Sequence, residues 1–212
     1  RTAGAAVGVC PAPEQVYIPL SQHIGAPARP VVSAGERVLR GTLIAAADGA
    51  LSANVYSSVA GTCRGVIDHI TASGKKAPHI LIENDRSDES VSLPPLAERT
   101  PESVLARIAE AGIVGMGGAG FPTAVKLGVH GRADVLVVNG AECEPYITCD
   151  DAIMRAYPQE LVQGIRLAML ACGARPAAPP AQGVFPTSRR RKKVFCFFPR
   201  LRAAELCEAF GT

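Results

Sequence analysis

The chain has 212 residues, 48% apolar and 19% charged, with a net charge of +3, enough to bury a real hydrophobic core in one or two domains. No stretch approaches the ~18 uninterrupted apolar residues of a membrane-spanning helix, and no charged-then-apolar leader precedes a cleavage site, so the sequence reads as soluble or peripheral. Its seven cysteines, at 10, 63, 143, 149, 172, 196 and 207, are odd in number and scattered, which argues for reduced thiols in a cytoplasmic setting and against a disulfide framework.

Residues 1–15 read as an N-terminal extension. From Val16 to about Glu83, short apolar runs alternate with turn signals: Val38-Leu39, Thr42-Leu43-Ile44, Asp48-Gly49, Val55-Tyr56, Gly61-Thr62, Val66-Ile67 and His79-Ile80-Leu81-Ile82. Strands at this pitch predict a small β-sandwich or barrel over 16–83. Gln22-His23 lies in a loop flanked by proline and glycine, where a histidine either touches a ligand or is simply hydrogen-bonded or solvated. His69 and His79 fall in strand-like settings. A metal needs three or four converging ligands, and the spacing offers none, so no metal site is predicted. Residues 84–99 are polar and acidic, carry Pro94-Pro95, and read as a linker.

Thr100-Pro101-Glu102 supplies an N-cap, a first-turn proline and a first-turn acid. The apolar positions 104, 105, 108 and 111 keep helical spacing, and Gly112 ends the helix. Next comes Gly115-Met116-Gly117-Gly118-Ala119-Gly120-Phe121-Pro122-Thr123. Four glycines in six positions strip side chains from a loop, so backbone N–H groups can approach an anion or a flat ring. Pro122 is preset for a helical turn that continues from Ala124 to Leu127, placing a positive helix end beside the loop. The glycines follow a helix and not a strand, so the Rossmann fingerprint fails. A lone glycine-rich turn is weak evidence for a nucleotide site.

Asp134 to Val138 is a nearly all-apolar run and reads as a buried, parallel-type strand. Its end delivers Asn139, Glu142 and Glu144 into a turn with Gly140 and Pro145, where ligands of open α/β sheets bind. An amide and two carboxylates there can accept hydrogen bonds from ribose or ribityl hydroxyls or from ring N–H groups; equally, Glu142 and Glu144 can be solvated loop charges. A final helix is predicted from about Pro158 to Ala171, with Arg155 and Arg166 as solvated charges. These pieces make an α/β half-domain over 100–171.

From about residue 172 the chain changes character. Residues 1–170 carry 14 basic and 17 acidic side chains, whereas 171–212 carry 8 basic and 2 acidic, and five of the six phenylalanines. Arg189 to Lys193 followed by Val194-Phe195-Cys196-Phe197-Phe198 is chemically able to meet nucleic acid or an anionic membrane. A truncated or frame-shifted reading is the simpler account, and no nucleic-acid role is expected. The tail is assigned no element and reads as open to disorder.

The glycine loop and the acidic segment Asn139-Gly140-Ala141-Glu142-Cys143-Glu144-Pro145-Tyr146-Ile147-Thr148-Cys149-Asp150-Asp151 resemble the flavin-binding core of the RnfC/RsxC family, a component of the Rnf/Rsx ion-translocating electron-transport complex. A looser version of the pair occurs in the NADH-oxidising flavoprotein subunit of respiratory complex I. The resemblance runs from about Val16 to Leu170 and includes Pro19 to Pro27. Within it, 16–83 resembles a biotinyl/lipoyl-type barrel-sandwich hybrid. Asp48-Gly49-Ala50-Leu51-Ser52-Ala53 stands where a carrier domain would show its lysine, so covalent lipoylation or biotinylation is not expected.

The resemblance implies a mixed α+β and α/β fold: a barrel-sandwich hybrid followed by an incomplete flavin and NADH domain. It implies FMN as cofactor, NAD(H) as substrate, and two 4Fe–4S clusters in full-length members. No two cysteines here are separated by only two residues, so the cluster-binding pattern is missing from this sequence. Carried over, Gly115, Gly117, Gly118 and Gly120 would surround the flavin phosphate and Lys126 would add charge. Asn139 and Glu142 would hold ribityl or ring groups, and Glu144 would lie toward the nicotinamide. Where complex I has arginine, Met116 stands here, which raises the importance of Lys126. The implied partners are the other Rnf/Rsx subunits, at the cytoplasmic face of the membrane as a peripheral protein. Two alternatives stand beside it: a docking or assembly module without redox function, and a relative of the cobalamin reductases, which share the glycine loop.

Overall fold

The structure, a computed structural model, describes residues 7–8, 10–115, 119–128, 133–139, 146–174 and 193–197. Seven strands come first: β1 (Gln15–Pro19), β2 (Arg29–Pro30), β3 (Arg37–Val38), β4 (Leu43–Ala46), β5 (Val55–Tyr56), β6 (Gly61–Ile70) and β7 (Lys76–Asn84). They form two antiparallel sheets, ordered β1-β7-β6-β3 and β2-β4-β5. The longest pairing is the β6–β7 hairpin, closed by the Thr71 N–H donating to the Lys75 carbonyl at 2.8 Å, with Gly74 at φ +79°. Ile18, Val38, Ile44, Cys63, Ile80 and Ile82 fill the space between the sheets. Ile44, Ile80 and Ile82 are wholly buried.

β6 differs from the two short runs read in the sequence at Gly61-Thr62 and Val66-Ile67. It is one ten-residue strand that crosses Gly65 by a register shift between Cys63 and Gly65. Gly65 sits at φ +100°, the backbone geometry of a bulge, and it bends the strand without ending it.

α1 (Pro101–Glu110) opens the second part and is capped as its sequence predicts. The Thr100 hydroxyl accepts the Ser103 N–H at 3.1 Å, and the Ser103 hydroxyl accepts the Thr100 N–H at 2.9 Å, a reciprocal capping box. Then come α2 (Thr123–Leu127), β8 (Val135–Asn139), α3 (Cys149–Ala156), α4 (Pro158–Cys172) and β9 (Lys193–Phe197). Val104 and Ile108 of α1, Leu127 of α2, and Ala168, Ala171 and Cys172 of α4 make a second core, against which Leu136 and Val138 of β8 pack. The buried guanidinium of Arg107 joins the linker to this part by donating to the Pro94 carbonyl at 2.6 Å and to Glu110 Oε2 at 3.0 Å.

Three features depart from the sequence reading. β8 is half-buried, not fully buried, at 135–138. The tail contributes an element: β9 pairs in parallel with β8, Val135 opposite Lys193 and Asn139 opposite Phe197. α3 occupies 149–156, directly behind the acidic turn, where no helix was expected. Its acids Asp150 and Asp151 stand in the first turn, which favours a helix start by charge–dipole attraction. Arg155 ties back to Asp151 at 3.0 Å as an exposed i,i+4 pair.

Candidate functional site

The glycine loop is closed at its base by a short ladder. Val114 and Pro122 form an antiparallel bridge, the Gly115 N–H donates to the Phe121 carbonyl at 2.9 Å, and the Thr123 N–H donates to the Ile113 carbonyl at 2.9 Å. The loop therefore leaves and re-enters the fold at one point, and its exit feeds straight into α2. α2 is only five residues long, with Pro122 as an N-cap that makes no side-chain hydrogen bond. So short a helix contributes little dipole of its own. The expected positive helix end is thus a minor feature.

The two described motif glycines differ in why they lack a side chain. A Cβ on Gly120, which is at φ +64°, would stand 2.5 Å from the Gln22 carbonyl oxygen and 2.8 Å from His23 Cα. Close approach of the barrel therefore demands glycine there. A Cβ on Gly115 would meet nothing nearer than the Phe121 backbone at 3.7 Å. Among the described residues a side chain at Gly115 would make only ordinary van der Waals contact, so close packing does not demand glycine there.

Lys126 lies in the last turn of α2, half-buried. Asn139 is the last residue of β8, at the carboxyl end of that strand. The side chain of Asn139, and all of Gly117, Gly118, Glu142 and Glu144, lie outside the described residues. α2, at the exit of the glycine loop, and β8, which leads into the acidic turn, both pack on α4, and α2 also packs on β9. The two motifs thus share one scaffold. Where the chain is described again, Tyr146 is 87% exposed at φ +68°, a left-handed conformation rare for an aromatic residue. The sequence carries no signal for that conformation.

The barrel side of the site was the less legible part. His23 is 8% exposed, and its Nε2 accepts the Ala53 N–H at 3.2 Å. A ring nitrogen that accepts carries no proton, so the proton is on Nδ1, 3.3 Å from the Ile24 carbonyl that it faces. The Ile24 N–H donates in turn to the Gly120 carbonyl at 3.3 Å. Further along the same face, Asn54 Nδ2 donates to the Glu110 carbonyl at 2.8 Å, and the Tyr56 hydroxyl donates to that same oxygen. Burial pushes the Tyr56 hydroxyl above its ordinary pKa.

Among the described residues, no three His, Cys, Asp or Glu side chains converge as metal ligands. Cys10, Cys63, Cys149 and Cys172 are free thiols, with Cys63 and Cys172 buried in the two separate cores. Burial raises the Cys172 thiol above its usual range and keeps it unreactive. No helix among the described residues is long and apolar enough to cross a membrane.

A two-sheet barrel followed by a glycine-looped α/β unit defines a modular protein of two parts. Comparison with known families gives each part a match. Residues 1–87 match the RnfC barrel sandwich hybrid domain, and residues 108–178 match the Nuo51 FMN-binding domain. The chain is 43% identical over 181 residues to the C subunit of the ion-translocating oxidoreductase complex of Rhodobacter capsulatus, covering 82% of this chain and 35% of that protein. It is 42% identical to the C subunit of the proton-translocating ferredoxin:NAD(+) oxidoreductase complex of Clostridium ljungdahlii, covering 79% and 38%. Against the C subunit of the Na(+)-translocating ferredoxin:NAD(+) oxidoreductase complex of Acetobacterium woodii the figures are 39% identity, 81% and 40%. The chain belongs to the RnfC family, and it spans between about a third and two fifths of the length of these three relatives.

Proposed function

We propose that this chain binds FMN between the glycine loop and the acidic turn and serves as an electron-transfer subunit of a membrane-associated, ion-translocating oxidoreductase complex. The observation that carries the reading is the match of 108–178 to an FMN-binding domain. The glycine loop inside that span, closed at its base and with no packing demand for glycine at Gly115, supports it. Bound FMN would exchange a hydride with NAD(H) and release electrons singly to iron–sulfur carriers, chemistry that belongs to the cofactor.

The protein's own residues orient and tune. Gly115, Gly117, Gly118 and Gly120 surround the phosphate, with Gly115 fixing the loop base through its own N–H and the other backbone N–H groups of the loop acting as donors, and Lys126 is the nearby cation. Asn139 and Glu142 accept hydrogen bonds from ribityl or ring groups. Glu144 faces the nicotinamide side, and carboxylates close to the ring disfavour anionic forms of it. The remaining complex subunits are the partners, and the cytoplasmic membrane face is the place of assembly.

Titration of the purified chain with FMN tests this reading. Quenching of flavin fluorescence at one equivalent, with a yellow protein after gel filtration, is the expected result. A folded, colourless protein that leaves FMN free would overturn it and favour the docking-module alternative.

A further inference from the structure

We propose that His23 is a positioning residue for the glycine loop: the barrel holds the loop exit through His23 and Ile24, and so sets the geometry in which the loop meets its ligand. The proposal rests on the FMN reading above, but it makes a claim about the ligand-free chain that stands or falls separately.

The loop from Leu20 to Ala28 is held at several points. Its ends are pinned together by the Ala28 N–H donating to the Leu20 carbonyl at 2.9 Å. Its far side is latched to the 51–53 segment, where the Ala26 N–H donates to the Leu51 carbonyl at 3.0 Å and the Ser52 hydroxyl to the Ala26 carbonyl at 2.9 Å. Gly25, at φ +102°, lies so close to Leu51 that a Cβ would stand 2.0 Å from its carbonyl oxygen. The His23 ring, at the centre, bridges the Ala53 N–H and the Ile24 carbonyl. Ile24 thus has its carbonyl engaged by the ring and its N–H engaged by Gly120.

One peptide segment is therefore held from both sides, by the barrel and by the last glycine of the motif. The 51–53 segment is the end of the stretch 48–53 that, on the resemblance to carrier domains, stands where a lysine would be shown. Here three of its backbone and side-chain groups are engaged in gripping the 20–28 loop. A phosphate cradle built from backbone N–H groups binds well only when those groups already point the right way. Gly120 is the loop residue fixed by the barrel, through Ile24 and the close approach of Gln22 and His23, just ahead of the ladder that closes the loop base at Phe121 and Pro122. FMN affinity is therefore coupled to a histidine that is distant in sequence from the motif.

The test uses the full chain and its His23→Ala and His23→Gln variants. Amide hydrogen exchange without FMN is read at Gly115 and Thr123, whose N–H groups close the loop base, with Val104 in α1 as reference. FMN affinity is read by fluorescence quenching. In His23→Ala, exchange at Gly115 and Thr123 rises and FMN affinity falls by about tenfold each, while Val104 is unchanged. In His23→Gln, whose side-chain oxygen can again accept the Ala53 N–H, most of both effects is recovered. Exchange and affinity at parent values in His23→Ala would overturn the proposal. If the parent chain takes up no FMN, the functional reading fails and the exchange measurement alone decides the positioning role. Should His23→Ala lose its fold, Ser52→Ala removes only one grip on the loop. Faster exchange at Gly115 and Thr123 in that variant supports the proposal, and unchanged exchange overturns it.

Discussion

The Ile24 N–H, in the barrel, donates to the Gly120 carbonyl, at the end of the glycine loop, across 3.3 Å. The same glycine packs its bare Cα against Gln22 and His23, so a hydrogen bond and a steric contact coincide at one residue. A side chain at 120 faces both a positive φ and a carbonyl oxygen at 2.5 Å. Gly120→Ala is expected to destabilise the fold by about 1–3 kcal/mol, measured as the shift in urea midpoint. Gly115→Ala, with only ordinary contacts to make, is expected to leave that midpoint near the parent value while weakening FMN retention. Equal loss of stability in both variants would contradict the division of labour between the two glycines.

The two cores give a second prediction. Ile82 and Leu127 are both wholly buried, one between the barrel sheets and one among the helices. Truncation of either to alanine removes three aliphatic carbons from close packing and is expected to cost about 2–5 kcal/mol. The contacts of Asn54 and Tyr56 with Glu110 link the halves, so both variants should shift a single denaturation transition. Two separated transitions by circular dichroism would show that the link is weak.

The cap of α1 is a third. Thr100→Ala removes the hydroxyl that accepts the Ser103 N–H and is expected to cost about 1 kcal/mol. Ser103→Ala removes an acceptor for the Thr100 N–H and a donor to the Glu98 carbonyl at 2.7 Å, and should cost at least as much. Thermal melts of the two variants make the comparison.

Exposed charge on the barrel gives a pH prediction. Hydrogen bonds from the Ser87 N–H and then from Arg37 hold the Asp85 carboxyl below its ordinary pKa, and Arg37 first and Ser87 next do the same for Glu89. Carboxylates with depressed folded pKa values stabilise the fold above their unfolded values of about 4 and lose that contribution as pH falls through the lower folded values. Arg37→Met should therefore flatten the acid limb of a plot of urea midpoint against pH. All three groups are solvent-exposed, so the effect should be small and shrink further in high salt. An acid limb unchanged by the substitution would remove Arg37 as its cause.

If Glu144 faces the nicotinamide, Glu144→Gln should slow NADH-dependent flavin reduction by about tenfold while FMN affinity stays close to the parent value. Stopped-flow reduction and fluorescence titration separate the two. Equal losses in both would contradict the role.

What the sequence discloses and what it hides follow a physical line. α1 is legible because its signals are local: Thr100, Pro101 and Glu102 mark the start, and Val104, Leu105, Ile108 and Ala111 lie on one helical stripe that packs into the core. The barrel-sandwich and flavin-domain pairing is legible from two long motifs, and the family comparisons bear it out. β6 is harder, because a glycine within a strand can signal either a bulge or a break. α3 is masked by the acidic motif that runs into its first turn. β9 is unreadable in advance because a parallel strand depends on a partner far away in sequence, here β8. The contact between His23 and the motif loop is hidden for the same reason, since nothing near His23 in sequence mentions Gly120.

The latched stretch from Leu51 to Asn54 limits how this part of the barrel can move. A swinging arm works by detaching from its own domain and visiting two stations in turn. This barrel has welded the corresponding tip to its neighbour, through His23 on one flank and Glu110 on the other. This part of the barrel is therefore a stator and not a shuttle.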